Sequence, residues 1–176
     1  MASGAIALTY LCYDNQNIIA HNAGRYTVTT PDVVARVQAI YGTKPRVIYE
    51  TIILHLSNGG EPSAELLWRL ARATHDLAAE LNDPTAKKSL TCEGFEAAKS
   101  ALKLDDDNFA CHKWMAIMYS DIGDYEGTSK KLKDSPLMKK HFERAIELNP
   151  QDPTSRHLLG LWCFAFADLA WYLLLL

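Results

Sequence analysis

Paired cysteines, an excess of one charge and long hydrophobic runs are all missing from this chain, and each absence narrows its chemistry. The four cysteines, Cys12, Cys92, Cys111 and Cys163, lie far apart, with no CxxC pair and no secretory leader ahead of them, so reduced thiols in a cytosolic setting fit best. The formal net charge is only −3, and because phosphate binding is carried by lysine and arginine no nucleic-acid partner is expected. The apolar run from Ala5 to Cys12 has no basic flank and is too short to span a bilayer. Leu161–Leu176 is 16 residues of mainly Leu, Trp, Phe and Ala with one charge, Asp168, and also falls below spanning length. Catalytic signatures are missing too: there is no GxGxxG, P-loop, HExxH or nucleophile elbow. The chain is read as non-enzymatic, with no catalytic residue, no metal and no cofactor assigned.

What is present is a near-repeat. Ala101-Leu102-Lys103-Leu104 stands before an acidic turn, and Ala145-Ile146-Glu147-Leu148 stands before Asn149-Pro150, 44 residues later. The same offset carries Met115-Ala116 onto Leu159-Gly160, while an offset of 45 carries Leu70-Ala71 onto Met115-Ala116. A period of this size means stacked helical hairpins. With 176 residues and 48% apolar side chains, one compact domain or a short stack of hairpins can cover a core. The predicted fold is all-α, a tetratricopeptide-like α-solenoid of stacked antiparallel helix hairpins with lengthened helices. Residues 1–30 form a leader without helical periodicity, 31–172 the repeat domain and 173–176 an apolar tail.

Local signals divide the repeat domain. A Thr or Asp cap near Thr30-Pro31-Asp32 opens a short helix carrying Val33, Val34, Val37 and Ile40, stopped by Gly42 and Pro45. Val47, Ile48, Ile52, Ile53 and Leu56 mark the buried stripe of a second, ended by Ser57-Asn58-Gly59-Gly60. Ser63 caps a third with Leu66, Leu67, Leu70, Ala71, Leu77 and Leu81 on one face; its partner runs from Ala86 to Leu104. A helix over 108–121 ends at Gly123, the chain turns through Asp124-Tyr125-Glu126-Gly127, and a partner helix closes at Leu148-Asn149-Pro150. A last helix, without a partner in this sequence, starts near Pro153.

His112-Lys113-Trp114, Ser120 to Gly127 and Phe142 to Pro150, together with Glu65 to Ala73 and His157-Leu158-Leu159-Gly160 with Trp162-Cys163, resemble the regulator of microtubule dynamics family over about residues 33–172. Within the match Gly123, Tyr125, Phe142, Ala145 and Pro150 stand at small, aromatic and terminating positions similar to those of tetratricopeptide repeats. The resemblance implies a helical repeat protein that associates with microtubules and spindle poles, in the cytoplasm and on the cytoskeleton, with some relatives at organelle membranes. Family members look longer, continuing past Trp171-Tyr172, so the unpartnered last helix with its four terminal leucines reads best as a truncation. If its apolar face is exposed, self-association through the C-terminal helix is expected.

Two surfaces are candidate contacts for microtubules, tubulin or a microtubule-associated protein. Lys130, Lys131, Lys133, Lys139, Lys140 and Arg144 face only Asp134 and Glu143 between residues 130 and 144, a local excess of +4 in an acidic chain. The second surface is a concave groove formed by the first helix of each pair, offering Glu65, Trp68, Arg72 and His75, then Lys113 and Ile117, then His157. Ile117 stands where a terminal-carboxylate clamp would need asparagine, so no clamp is expected. Trp68, Trp114 and Trp162 do not share one repeat position and read as core. Asp105-Asp106-Asp107 reads as turn and cap chemistry, His112 as a packed or groove-facing histidine, and Asp121 with Asp124 as helix-end residues without a histidine base. The competing reading is a membrane-contact or lipid-binding module at an organelle surface, in which the same lysines meet anionic lipid.

Overall fold

A computed structural model describes residues 28–42 and 44–174, with side chains up to Phe166. Most of the 1–30 leader and the end of the 173–176 tail lie outside the described residues. The described chain is helical, with no strand among its described residues: α1 Thr30–Ala39, α2 Pro45–Ser57, α3 Ala64–Glu80, α4 Pro84–Leu104, α5 Phe109–Glu126, α6 Thr128–Leu148 and α7 Pro153–Leu174. The closest packing joins α3 to α4 and α5 to α6, with α4 against α5 between them, which makes a row of hairpins.

The helix starts follow from side chains that satisfy otherwise unpaired N–H groups. Thr29, not Thr30 or Asp32, caps α1 in a capping box with Asp32. Ser63 accepts from Leu66 N at 3.2 Å at the head of α3. Asp83 accepts from Thr85 N and Ala86 N, which starts α4 at Pro84, two residues before the predicted Ala86. Pro45 opens α2 instead of only closing α1, and Val47 is 44% exposed while Tyr49 and Ile52 supply the buried face. Leu81 lies just past α3, as its C-cap.

The clearest departure is at Gly123. The helix expected to end there continues to Glu126, and Gly127, at φ +93°, makes the turn alone. Gly123 is instead a close-approach glycine: a Cβ there would sit 3.0 Å from Cγ of Lys131, whose aliphatic stem crosses it. The core runs continuously from Val33 and Val37 through Leu66, Leu70 and Ala71 to Ala98, Cys111 and Met118. Both second helices, α4 and α6, are 21 residues long, so the extra residues of these hairpins extend helix and not loop.

Candidate functional site

The exposed ends of α1 and the inward faces of α3, α5 and α7 enclose a groove of about 980 Å³. Its floor is aromatic and aliphatic: Trp68, Phe109, Trp114, Ile117, Phe142, Leu158, Trp162 and Phe166 all line it. Six of the seven groove residues named from the sequence, Glu65, Trp68, Arg72, His75, Lys113 and Ile117, are in this lining. His157 is exposed and outside it; Leu158, Leu161 and Trp162 represent α7 instead. The reason is one residue of register. An offset of 45 takes Trp68 to Lys113 to Leu158 and Arg72 to Ile117 to Trp162, whereas 44 takes Lys113 to His157, and one residue turns a helix by about 100°. Trp68, Trp114 and Trp162 all reach the groove while Trp68 and Trp114 remain under 10% exposed, so packing and lining are the same surface here.

The charged side chains of the groove are paired with one another, whereas Trp68 Nε1, Trp162 Nε1 and Arg69 Nε are buried without a hydrogen-bond partner among the described residues. Arg69 pairs with Glu65 and donates to Gln38 at 3.0 Å, and Asn108 donates to Glu65 at 2.6 Å. Burial alone would raise the Glu65 carboxyl, but hydrogen bonds from Arg69 and Asn108 outweigh it and hold the group below its ordinary range. Arg72 pairs with Asp76 at 3.3 Å and lies 3.7 Å over the Tyr41 ring. Lys113 reaches Asp152 at 3.2 Å across to α7.

His75 Nδ1 lies 2.6 Å from Asp121, which raises the His75 pKa against the opposing effect of burial. Asp121 was thus read without the histidine that folding brings to it from 46 positions away. Asp124, its apparent partner in sequence, pairs with Lys131 instead.

The six cations of α6 do not form one patch. Lys130 pairs with Glu126 and with Asp134, which is buried; Lys131 turns to the groove; Lys139 binds Glu143 at 3.3 Å and lies 6.0 Å from the Trp162 ring centre. Arg144 spans Asp107 at 2.7 Å and Glu147 at 3.2 Å. Lys133 and Lys140 are exposed, make no ion pair with a described residue, and stand seven positions apart, on one face opposite buried Met138 and Phe142.

A second polar cluster lies behind the groove. His112 Nε2 donates to the Asp106 carbonyl at 2.7 Å, so in neutral His112 Nδ1 is an acceptor, and His141 Nδ1–H donates to it at 2.9 Å. Tyr119 stacks on His141. No ligand partner for His112 was expected; α6 provides one from 29 positions away, yet no group of three or more ligating residues forms among the described residues. Burial pushes the neighbouring Cys111 thiol up to about 12, which keeps it protonated and unreactive.

Burial, with the His112 and Lys140 charges, lowers His141 to about 4. A histidine held neutral stabilises the fold fully above its unfolded value near 6.5 and loses that contribution as pH falls toward 4. Unfolding free energy should therefore fall by about 1–2 kcal/mol over that window, allowing for partial exposure. His75 works in the opposite sense, losing its contribution as pH rises through its raised pKa. Urea titrations of wild type and His141→Gln isolate the first effect: the acid-side loss should shrink in the variant, and an unchanged loss assigns it elsewhere.

Helical hairpins whose first helices share one aromatic groove define an all-helical protein of the helical-repeat class. The family model described as Regulator of microtubule dynamics protein 1-3 matches residues 34–173, and the chain belongs to that family. Regulator of microtubule dynamics protein 1 of Pongo abelii is 40% identical over 170 residues, which cover 94% of this chain and 53% of that protein. The protein of the same description from Mus musculus is 40% identical over 169 residues, covering 94% and 54%. Regulator of microtubule dynamics protein 3 of Xenopus laevis is 42% identical over 107 residues, covering 61% and 23%. The chain spans about half the length of the protein 1 relatives it matches. No helix among the described residues is long and apolar enough to cross a membrane.

Proposed function

We propose that this chain is a non-enzymatic scaffold of the microtubule cytoskeleton, docking a helical segment of tubulin or of a microtubule-associated protein in its groove. The groove's aromatic floor, with its charged side chains paired to one another, is the observation that carries this reading. An extended peptide needs partners for its own backbone N–H and C=O groups, and Arg69, Arg72, His75 and Lys113 are already engaged. An amphipathic helix satisfies its backbone internally and needs only apolar anchors, which Ile117, Leu158 and Trp162 meet. Lys133 and Lys140 add screened attraction to an acidic partner. The family and the names of its members, regulators of microtubule dynamics, support the cytoskeletal setting.

Co-sedimentation with taxol-stabilised microtubules, with and without their associated proteins, tests it. Ile117→Glu places a charge among groove aromatics and should abolish pelleting while helical content is kept. Lys133→Glu with Lys140→Glu should weaken pelleting by about tenfold at low salt and much less at high salt. Lys130 is left unaltered because its loss strands buried Asp134. Wild-type pelleting by Ile117→Glu, or binding to anionic liposomes alone, would sink the proposal.

A further inference from the structure

His75 enters the groove with one ring nitrogen engaged and the other open. Its Nδ1 lies 2.6 Å from an Asp121 oxygen, and both residues line the groove. A carboxylate only accepts, so the proton of this contact is on Nδ1; Nε2 is then a bare acceptor in the neutral ring and an N–H donor in the charged one. No described residue bonds to Nε2, and the side chain is 38% exposed. Trp114, edge-on at 5.7 Å between ring centres, and the Asp121 contact together fix the ring, so Nε2 is presented in one place. The charged groups around it are held elsewhere. On α3, Arg72 and Asp76 pair with each other; on α5, Lys113 is tied to Asp152; from α6, Lys131 is tied to Asp124. No residue of α4 lines the groove, none of the α7 residues in the lining is titratable, and beyond α1 there is only the Tyr41 phenol, beneath Arg72.

The neutral ring leaves the Asp121 charge uncompensated in the groove, whereas the protonated ring cancels it and offers an N–H. A carboxylate is repelled by the first state and bound by the second. The buried groups point the same way. Trp68 Nε1, Trp162 Nε1 and Arg69 Nε, all on groove residues, are donors without an acceptor, and no buried side-chain acceptor among the described residues is left unpaired. The groove is short of acceptors. We infer that His75, set by Asp121, reads an acidic side chain of the docked helix: a partner carboxylate lies against His75 Nε2, beside the apolar residues that meet Ile117, Leu158 and Trp162, and docking takes up a proton. The proton comes from solvent and bonds to Nε2, while Nδ1–H stays with Asp121. This rests on the helix-docking reading above and narrows the partner to an acidic amphipathic helix. Asp121 already raises the His75 pKa against the effect of burial, which brings the charged ring within reach near neutral pH. A helix carrying a lysine at this point would favour the neutral ring and bind in the opposite sense of pH.

Co-sedimentation with taxol-stabilised microtubules carrying their associated proteins, at fixed ionic strength from about pH 6.5 to about pH 8, tests this on the full chain. Wild-type affinity should fall by about three- to tenfold as pH rises across that range, because only the charged ring attracts the carboxylate. The microtubules' own response to pH is common to every variant, so wild type is read against His75→Gln at each pH. His75→Gln should bind with a flat relative profile near the weaker wild-type limit. His75→Arg, a permanent cation, should hold the tighter limit throughout. Lys133→Glu with Lys140→Glu should lower affinity and leave the wild-type profile unchanged, since neither residue lines the groove. A His75→Gln profile parallel to wild type, affinity that rises with pH, or loss of binding in His75→Arg with helical content retained would each overturn the inference and leave groove docking in place. Wild-type pelleting by Ile117→Glu overturns the docking reading itself, and this one with it, so the two failures are told apart.

Discussion

Gly94→Ala should destabilise the protein by about 2 kcal/mol, although a glycine in the interior of an exposed helix normally gains about 1 kcal/mol from that change. Gly94 is the point where α4 is pressed between α3 and α5. A Cβ there would overlap Oγ1 of Thr74 and lie 3.2 Å from Thr74 Cβ and 2.9 Å from Met118 Sδ. Thr74 cannot swing away cheaply. It is fully buried, and its hydroxyl donates to the Ala71 carbonyl at 2.8 Å. The methionine tip can give, so the threonine decides the cost: forced repacking at about 1–3 kcal/mol, plus about 1 kcal/mol if the hydroxyl bond breaks, outweighs the gain in helix propensity. Urea denaturation of Gly94→Ala, Thr74→Ala and the double variant measures this directly. The double variant should be less destabilised than the sum of the singles. A stabilised Gly94→Ala would show that the three helices are not in contact as described.

Asp152→Ala should be comparably severe, costing about 2–4 kcal/mol, because one carboxylate does two jobs. It caps α7, accepting from Ser155 N at 3.0 Å and from Ser155 Oγ at 2.6 Å. It is also the partner of Lys113, and both side chains are nearly enclosed, at 13% and 15% exposed. Burial would raise the Asp152 carboxyl, but the bonds from Ser155 and Lys113 outweigh it and hold it ionised. Truncation leaves α7 uncapped and a lysine desolvated without a counter-charge. Asp152→Asn keeps an oxygen for the cap and should cost about half as much; Lys113→Met should relieve part of the Asp152→Ala penalty by removing the stranded cation. Hydrogen exchange should show α7 amides opening before those of α3 and α4, since α7 packs chiefly on α6. With α7 loosened, Leu158 and Trp162 leave the groove wall, so partner binding should fall with α7 protection and not with global stability.

These two positions show where reading the chain stops. Ser63 could be recognised as a helix cap because a cap bonds to an N–H group two or three residues away. Gly94 carries no such local mark: it sits in an ordinary helical stretch, and its cost of substitution belongs to Thr74 and Met118 on other helices. Gly123 misled in the reverse direction, since a glycine flanked by acidic residues resembles a helix stop when the stem of Lys131 that needs the space is out of view. The groove was legible through Trp68, Arg72, Lys113 and Ile117, and missed on α7 because the repeat lengths of 44 and 45 differ by a rotation of about 100°.

By itself, the sequence determined the order of the helices, the Ser63 cap, the near-repeat and the family, because periodicity and capping act over a few residues and repetition is visible without a fold. Only the tertiary structure decided the partners of the charges. His75 with Asp121, Lys113 with Asp152 and His112 with His141 meet across 46, 39 and 29 positions. It also divided the cations of α6 into paired and free, leaving Lys133 and Lys140 exposed. A charge in a sequence has no direction, and the rotation of each helix against its neighbours is what gives it one.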